Sequence, residues 1–157
     1  RVKRTIQRVA GTKPMAWLLQ RTLFPIDRLV YRWSGGRATA AGIVAGIPVV
    51  LLTTTGRRSG EPRTMPLLGV PVGDDLAIVG SNYGQAHTPG WVYNLEADPT
   101  ATVAYRDRSA SAVARLADER ETDHVFELAS AIYPGYREYR RRATDRTIRV
   151  FVLEPAP

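Results

Sequence analysis

From Ile47 onward the chain alternates short β-branched and apolar runs with tight glycine, proline and aspartate turns, and this grammar limits the fold more than any other feature. Ile47–Thr55 reads as a first strand and Arg63–Val72 as a second, joined by Gly56-Arg57-Arg58-Ser59-Gly60-Glu61-Pro62. The turn Gly73-Asp74-Asp75 leads into a strand over Leu76–Ser81, and Thr100–Arg106 with Ser109–Ala117 makes a hairpin around Asp107-Arg108. Arg146–Leu153 is the final strand. Between strands, Thr88-Pro89-Gly90 opens a short helix over Trp91–Ala97 that Asp98-Pro99 ends, and two more helices are read over Glu119–Ala131 and Tyr133–Ala143. Mainly β with short packing helices (α+β), this order predicts a closed or partly closed antiparallel barrel of about six strands.

The first third reads differently. Thr12 can cap a helix that begins at Pro14 and carries Trp17, Leu18, Leu19 and Leu23 before Phe24-Pro25 breaks it. It resumes with Ile26, Leu29, Val30 and Trp33 at helical spacing, with Arg28 and Arg32 on other faces. Two readings follow: a helix docked on the core, or a basic amphipathic helix lying on an anionic membrane surface. The chain is therefore divided into an N-terminal amphipathic helical segment, 1–36, and a barrel domain, 37–157. No charge occurs between Arg37 and Arg57, but Gly42, Gly46 and Pro48 interrupt that stretch and its end is β-branched, so it is not read as a spanning helix. Residues 1–10 are charged throughout, with no secretory pattern, and the expected location is cytoplasmic, with the inner face of the membrane as the alternative that goes with the lipid-surface reading of the helix.

Charge narrows the partner. The formal net charge is +7 and the isoelectric point is near 10.2, with Lys3 and Lys13 the only lysines. Arginine-borne basicity favours bidentate capture of phosphate or carboxylate. Nucleic acid is not the expected partner, because the aromatic residues do not interleave with basic ones in an OB-like or RRM-like pattern. There is no cysteine, and His87 and His124 are the only histidines. A cysteine nucleophile is excluded and a metal site is not expected.

Three segments can carry chemistry. In Thr53–Arg63, Gly56 and Gly60 can turn the backbone so that successive N–H groups form an anion-binding nest. Arg57, Arg58 and Arg63 add charge there, and Ser59 adds a hydroxyl. The spacing is not that of a Walker loop, and the plain alternative is a solvated hairpin. The second segment, Gly80–His87, follows a strand and presents Ser81, which lacks an adjacent base and so suits hydrogen bonding rather than nucleophilic attack. His87 there reads as solvated. The third is Tyr133-Pro134-Gly135-Tyr136-Arg137-Glu138-Tyr139, whose tyrosines at i, i+3 and i+6 share one side of a helical segment. They fit either a wall for a flat ring or a core-facing aromatic stripe.

Taken in order, LLTTTGRRSGEPR, Ser81 in its loop, PGWVYNLEADP, YPGYREY and TDRTI resemble the deazaflavin-dependent nitroreductase family, the quinone- and nitro-reducing branch of the F(420)-dependent reductases. The resemblance runs from about Trp33 to Pro155. It implies a split β-barrel of six to seven antiparallel strands and coenzyme F(420) as cofactor. By that resemblance Gly56, Arg57, Arg58, Ser59, Gly60, Arg63, Pro66, Ser81, Asn82 and Trp91 are the cofactor-binding candidates, with the arginines on the phosphodiester and glutamate tail. Ser81, Tyr133, Tyr136 and Tyr139 are the catalytic candidates: Ser81 and Tyr133 donate hydrogen bonds, and Tyr136 and Tyr139 shape the acceptor pocket. Two departures stand out. Asn82 replaces a residue that is often basic in the family, and Leu68 stands where some members carry a tyrosine. The implied reaction is hydride transfer from reduced coenzyme F(420) to a small acceptor, a quinone such as menaquinone before a nitroimidazole or activated alkene. The competing readings are an FMN- or haem-binding split barrel and a non-catalytic cofactor carrier.

Overall fold

The computed structural model describes residues 48–105, 108–144 and 146–157. The helices expected before residue 37 and the division at residue 36 lie outside the described residues. Seven strands are present among them: β1 (Val49–Thr55), β2 (Pro62–Leu68), β3 (Val70–Val72), β4 (Asp75–Val79), β5 (Thr100–Tyr105), β6 (Arg108–Leu116) and β7 (Val150–Pro155). Three helices accompany them: α1 (Gly90–Ala97), α2 (Glu119–Ile132) and α3 (Gly135–Arg142). All pairings are antiparallel, in one sheet ordered β2-β1-β5-β6-β7-β4-β3.

The two edges of that sheet are two halves of one bent strand. β2 and β3 are separated only by Gly69, yet β2 pairs with β1 while β3 pairs with β4. The sheet therefore curls onto itself at Gly69, which makes the split barrel. A Cβ at Gly69 would come within 2.9 Å of Val50 Cγ1 and 3.0 Å of Leu76 Cδ1, so the bend requires the missing side chain. The single strand expected over 63–72 is broken at this residue, which is why about six strands become seven.

Alternation along the strands feeds two apolar clusters. On β4, Ala77 and Val79 face one and Ile78 the other; on β7, Val150 faces the first and Phe151 and Leu153 the second. α1 covers the second cluster with Trp91, Val92 and Leu95, and α2 and α3 cover the first with Val125, Phe126 and the tyrosines. α2 starts at a capping box: Asp118 accepts from the Glu121 N–H at 2.8 Å, and Glu121 accepts from the Asp118 N–H at 2.9 Å. The last strand starts at Val150 rather than at Arg146, because the segment before it is drawn toward the Ser81 loop, where the Gly80 N–H donates to the Arg149 carbonyl at 2.8 Å. Among the described residues no helix is long and apolar enough to cross a membrane.

Candidate active site

The β1–β2 turn is held by its own backbone. The Gly56 N–H donates to the Glu61 carbonyl at 2.8 Å, and the Gly60 and Ser59 N–H groups both reach the Gly56 carbonyl, at 2.7 and 3.2 Å. Gly60 sits at φ +69°, a left-handed position that glycine takes without strain. The Glu61 N–H is taken by Ser59 Oγ at 3.3 Å, and the Arg57 N–H by Asn94 Oδ1 at 3.1 Å. These amides point at protein acceptors, so the turn is not the open nest its glycines suggested. Its anion-attracting groups are side chains. Arg57, Arg58 and Arg63 are exposed, and none has a carboxylate partner among the described residues. Arg57 lies over the Tyr93 ring at 4.5 Å, and Arg63 Nη2 reaches Ser59 Oγ at 3.4 Å. Pro66 stands half-buried opposite Leu51, tolerated because β2 has only β1 beside it.

Helix α1 ties this turn to the Ser81 loop. Its buried Asn94 donates to Thr54 Oγ1 at 3.0 Å while accepting the Arg57 amide, so one side chain fixes both the end of β1 and the first residue of the turn. At the other end of α1, a Cβ on Gly80 would meet Val92 Cγ2 at 2.8 Å. Trp91 is 5% exposed and packs on Phe151 with centroids 6.1 Å apart. It is a core residue here, placing α1 against the sheet.

Ser81 itself is buried, and the chain after it turns left-handed three times running: Asn82 at φ 46°, Tyr83 at φ 57° and Gly84 at φ 74°. For the two non-glycine residues this costs about 1–2 kcal/mol each. The turn is closed by Gly84 N–H to the Ser81 carbonyl at 2.8 Å and Gln85 N–H to the Asn82 carbonyl at 3.0 Å. Asn82 Nδ2 donates to the His87 carbonyl at 3.0 Å, so Asn82 shapes the loop. The Arg146 guanidinium reaches the loop from the far side and donates to the carbonyls of Gly80, Ser81 and Gln85.

The tyrosines meet the loop from below. Tyr133 ends α2, Tyr136 and Tyr139 lie on α3, and all three are buried in one cluster with Leu68 and Phe126. Ring centroids are 5.5 Å apart for Tyr136–Tyr139 and 6.1 Å for the other two pairs. Tyr83 meets Tyr139 edge-on at 6.1 Å, and Ser81 lies near enough to the Tyr136 hydroxyl to oppose the effect of its burial. A Cβ on Gly135 would fall 2.3 Å from Cε1 of Tyr133, so the turn between the helices needs glycine. The Tyr139 hydroxyl donates to the Tyr133 hydroxyl at 3.3 Å, leaving the Tyr133 proton for another acceptor. Burial raises the affinity of all three phenols for their protons. At neutral pH they are donors, not bases.

Both segments read from the sequence, the arginine turn and the Ser81 loop, are thus anchored to one short helix, and the tyrosines lie against the second. The F(420)H(2)-dependent quinone reductase family matches the chain over residues 26–155. The chain belongs to that family. An F(420)H(2)-dependent quinone reductase of Mycobacterium tuberculosis, Rv1261c, is 31% identical over 134 residues, which is 83% of this chain and 89% of that protein. A solved F(420)-H(2) dependent reductase, FDR-A, is 40% identical with a TM-score of 0.63, over 68% of this chain and 94% of that one. A solved domain-swapped dimer is 33% identical with a TM-score of 0.65, over 90% of this chain and all of the other.

The protein is therefore an F(420)H(2)-dependent reductase of split-barrel fold, with coenzyme F(420) as its cofactor. The donor set fits that cofactor. A polyanionic tail needs cations that are not already neutralised, and the arginine turn offers three. Sequence reasoning assigned no role to Asn94, Tyr93 or Arg146. A polar residue between the apolar Val92 and Leu95 was the one available signal for Asn94.

Proposed function

We propose that this reductase delivers its hydride to a quinone held against the Ser81 loop and the tyrosine cluster. The observation that carries the reading is the free proton of Tyr133: its oxygen already accepts from Tyr139, inside an apolar wall that contains Leu68. A quinone gains negative charge on its oxygens as it is reduced, and a preoriented donor in a water-poor site stabilises that charge. When bound, reduced coenzyme F(420) supplies the hydride, two electrons at once. Arg57, Arg58 and Arg63 would hold its acidic tail. Ser81 and Tyr133 donate to the acceptor, Tyr139 fixes Tyr133 through the bond between their hydroxyls, and Tyr136 packs edge-on against both rings. Leu68, smaller than tyrosine, favours the broad apolar body of a quinone.

Turnover of menadione with reduced coenzyme F(420) tests this. In Tyr133→Phe combined with Ser81→Ala, kcat falls on the order of a hundredfold or more, as for lost oxyanion donors. Cofactor affinity, read from tryptophan fluorescence, falls far less than kcat, because the arginine turn that holds the acidic tail is intact. Unchanged turnover in the double variant would remove both residues from the mechanism. The same reading places the enzyme at the cytoplasmic membrane surface, where quinones dissolve, through the basic amphipathic pattern before Gly36. Deleting residues 1–36 then lowers liposome association more than cofactor binding, whereas equal loss of both would sink the membrane reading.

A further inference from the structure

We propose that Arg146 is the positioning residue of this site: by bonding three backbone carbonyls at once, its guanidinium holds the Ser81 loop in the left-handed geometry that presents the Ser81 hydroxyl. The proposal deepens the reading above and rests on it for the role of Ser81. Arg146 Nη2 donates to the Ser81 carbonyl at 2.7 Å, Nη1 to the Gly80 carbonyl at 3.1 Å and Nε to the Gln85 carbonyl at 3.1 Å. One planar group thus spans both ends of the turn that contains Asn82, Tyr83 and Gly84. Two of those residues are strained by their positive φ, and such a turn persists only if its surroundings over-determine it. Bonds from a cation are about twice as strong as neutral ones, which suits that task.

The partners of Arg146 set it apart. Arg115, Arg140, Arg141, Arg142 and Arg149 all lie against carboxylates, whereas Arg146 has only neutral carbonyls and no carboxylate within ion-pair distance among the described residues. It is half-buried, and burial lowers its proton affinity against the opposing influence of Tyr93. Tyr93, on α1, is the ring beneath Arg57, 4.5 Å from its guanidinium carbon. On its other side Arg146 lines an open groove of about 720 Å³ beside Leu116, Phe126 and Ile148. The space its side chain occupies is therefore reachable from solvent. Lysine, with a single ammonium, cannot reproduce the three-way fork.

The test uses the whole chain as Arg146→Ala and Arg146→Lys, the second guarding against loss of folding in the first. Amide hydrogen exchange is read on the protein alone, at Gly84 and Gln85 within the loop and at Ala114, whose N–H donates to the Pro99 carbonyl far from it. The loop amides exchange on the order of tenfold faster in Arg146→Ala, as local opening predicts, while Ala114 is unchanged. With reduced coenzyme F(420) and menadione, kcat of Arg146→Ala falls about a hundredfold, the cost of displacing a reacting group by about 1 Å. Arg146→Lys is intermediate, cofactor affinity is unchanged, and free guanidinium at tens of millimolar restores part of the lost kcat. Wild-type kcat and loop exchange in Arg146→Lys overturn the proposal, and so does a parallel fall in cofactor affinity. In a Ser81→Ala background, Arg146→Lys costs little more. If Ser81→Ala lowers turnover and Arg146→Lys lowers it again by its full factor, the site reading stands and the positioning role fails. If Ser81→Ala alone leaves turnover unchanged, the site reading fails and takes the proposal with it.

Discussion

Arginine is used in two opposite ways in this molecule. Around α2, α3 and the β6–β7 pair five arginines are neutralised: Arg115 meets Glu121 at 2.8 Å and Glu154 at 2.9 Å, Arg141 and Arg142 share Glu138, and Arg140 and Arg149 pair with Asp123 and Glu96. Arg108, Arg120 and Arg137 stand apart from one another with no carboxylate at ion-pair distance among the described residues. On the β1–β2 turn, Arg57, Arg58 and Arg63 face solvent with no such partners among the described residues. Exposed ion pairs add little to stability and leave little field for a ligand. A like-charged cluster repels itself, and an anion relieves that repulsion. The net charge of +7 therefore says less about function than where the unpaired part of it lies.

The comparison breaks first if charge on the turn is dispensable. Arg57→Gln with Arg63→Gln raises the cofactor dissociation constant about a hundredfold, since each charge-assisted hydrogen bond is worth about 1.5–3 kcal/mol. Arg115→Gln leaves that constant unchanged. Fluorescence titration of both variants decides the matter, and equal losses would mean that only overall basicity counts.

A second variant separates charge from placement. Asn94→Ala keeps all three arginines but leaves the Arg57 amide and Thr54 hydroxyl without their shared partner. Losing a buried partner costs about 1–3 kcal/mol of stability, measured by urea denaturation. Cofactor affinity falls about tenfold, less than when the charges themselves are removed. If affinity holds while stability falls, α1 supports the fold and not the site.

These residues also mark how far the sequence could be read. The strand pattern and tight turns expose the barrel, because alternation and turn chemistry are local. The bend at Gly69 was hidden, since a glycine inside an apolar run looks continuous until Val50 and Leu76 crowd it from elsewhere. The glycines of the arginine turn announced a tight turn but not which way its amides point. That depended on Asn94, 37 positions away. Arg146 was visible only as part of a motif, because its acceptors are backbone carbonyls 61 to 66 residues distant and leave no residue-type signature. The tyrosine spacing left two readings open, core stripe or acceptor wall, and the packing satisfies the first while leaving the Tyr133 proton for the second.

Salt gives a smaller effect of the same kind. Screening at higher ionic strength weakens attraction to the exposed turn, so the cofactor dissociation constant rises several-fold between about 0.05 and 0.3 M sodium chloride. Variants lacking Arg57 and Arg63 show a flatter dependence. A wild-type affinity that ignores salt would remove long-range attraction from the comparison and leave only close contacts.

The paired region gives the weakest effect, and it appears in acid. Hydrogen bonds from Arg115 and from the Asp118 N–H bring the Glu121 carboxyl down from 4.5 to about 2. A carboxylate with a depressed folded-state value stabilises the fold above its unfolded value and loses that contribution as pH falls through the folded one. The window is therefore from about pH 4.5 down to about pH 2. The Glu121 side chain is partly exposed, so solvent screening keeps the effect small: a melting temperature changed by a degree or two across that window. Glu121→Gln keeps the polar group of the capping box and flattens this acid limb, while Arg57→Gln with Arg63→Gln leaves it as in the wild type. If the turn variants flattened it instead, a carboxylate would be paired with the turn after all, and the contrast between the two sets of arginines would fail at its base.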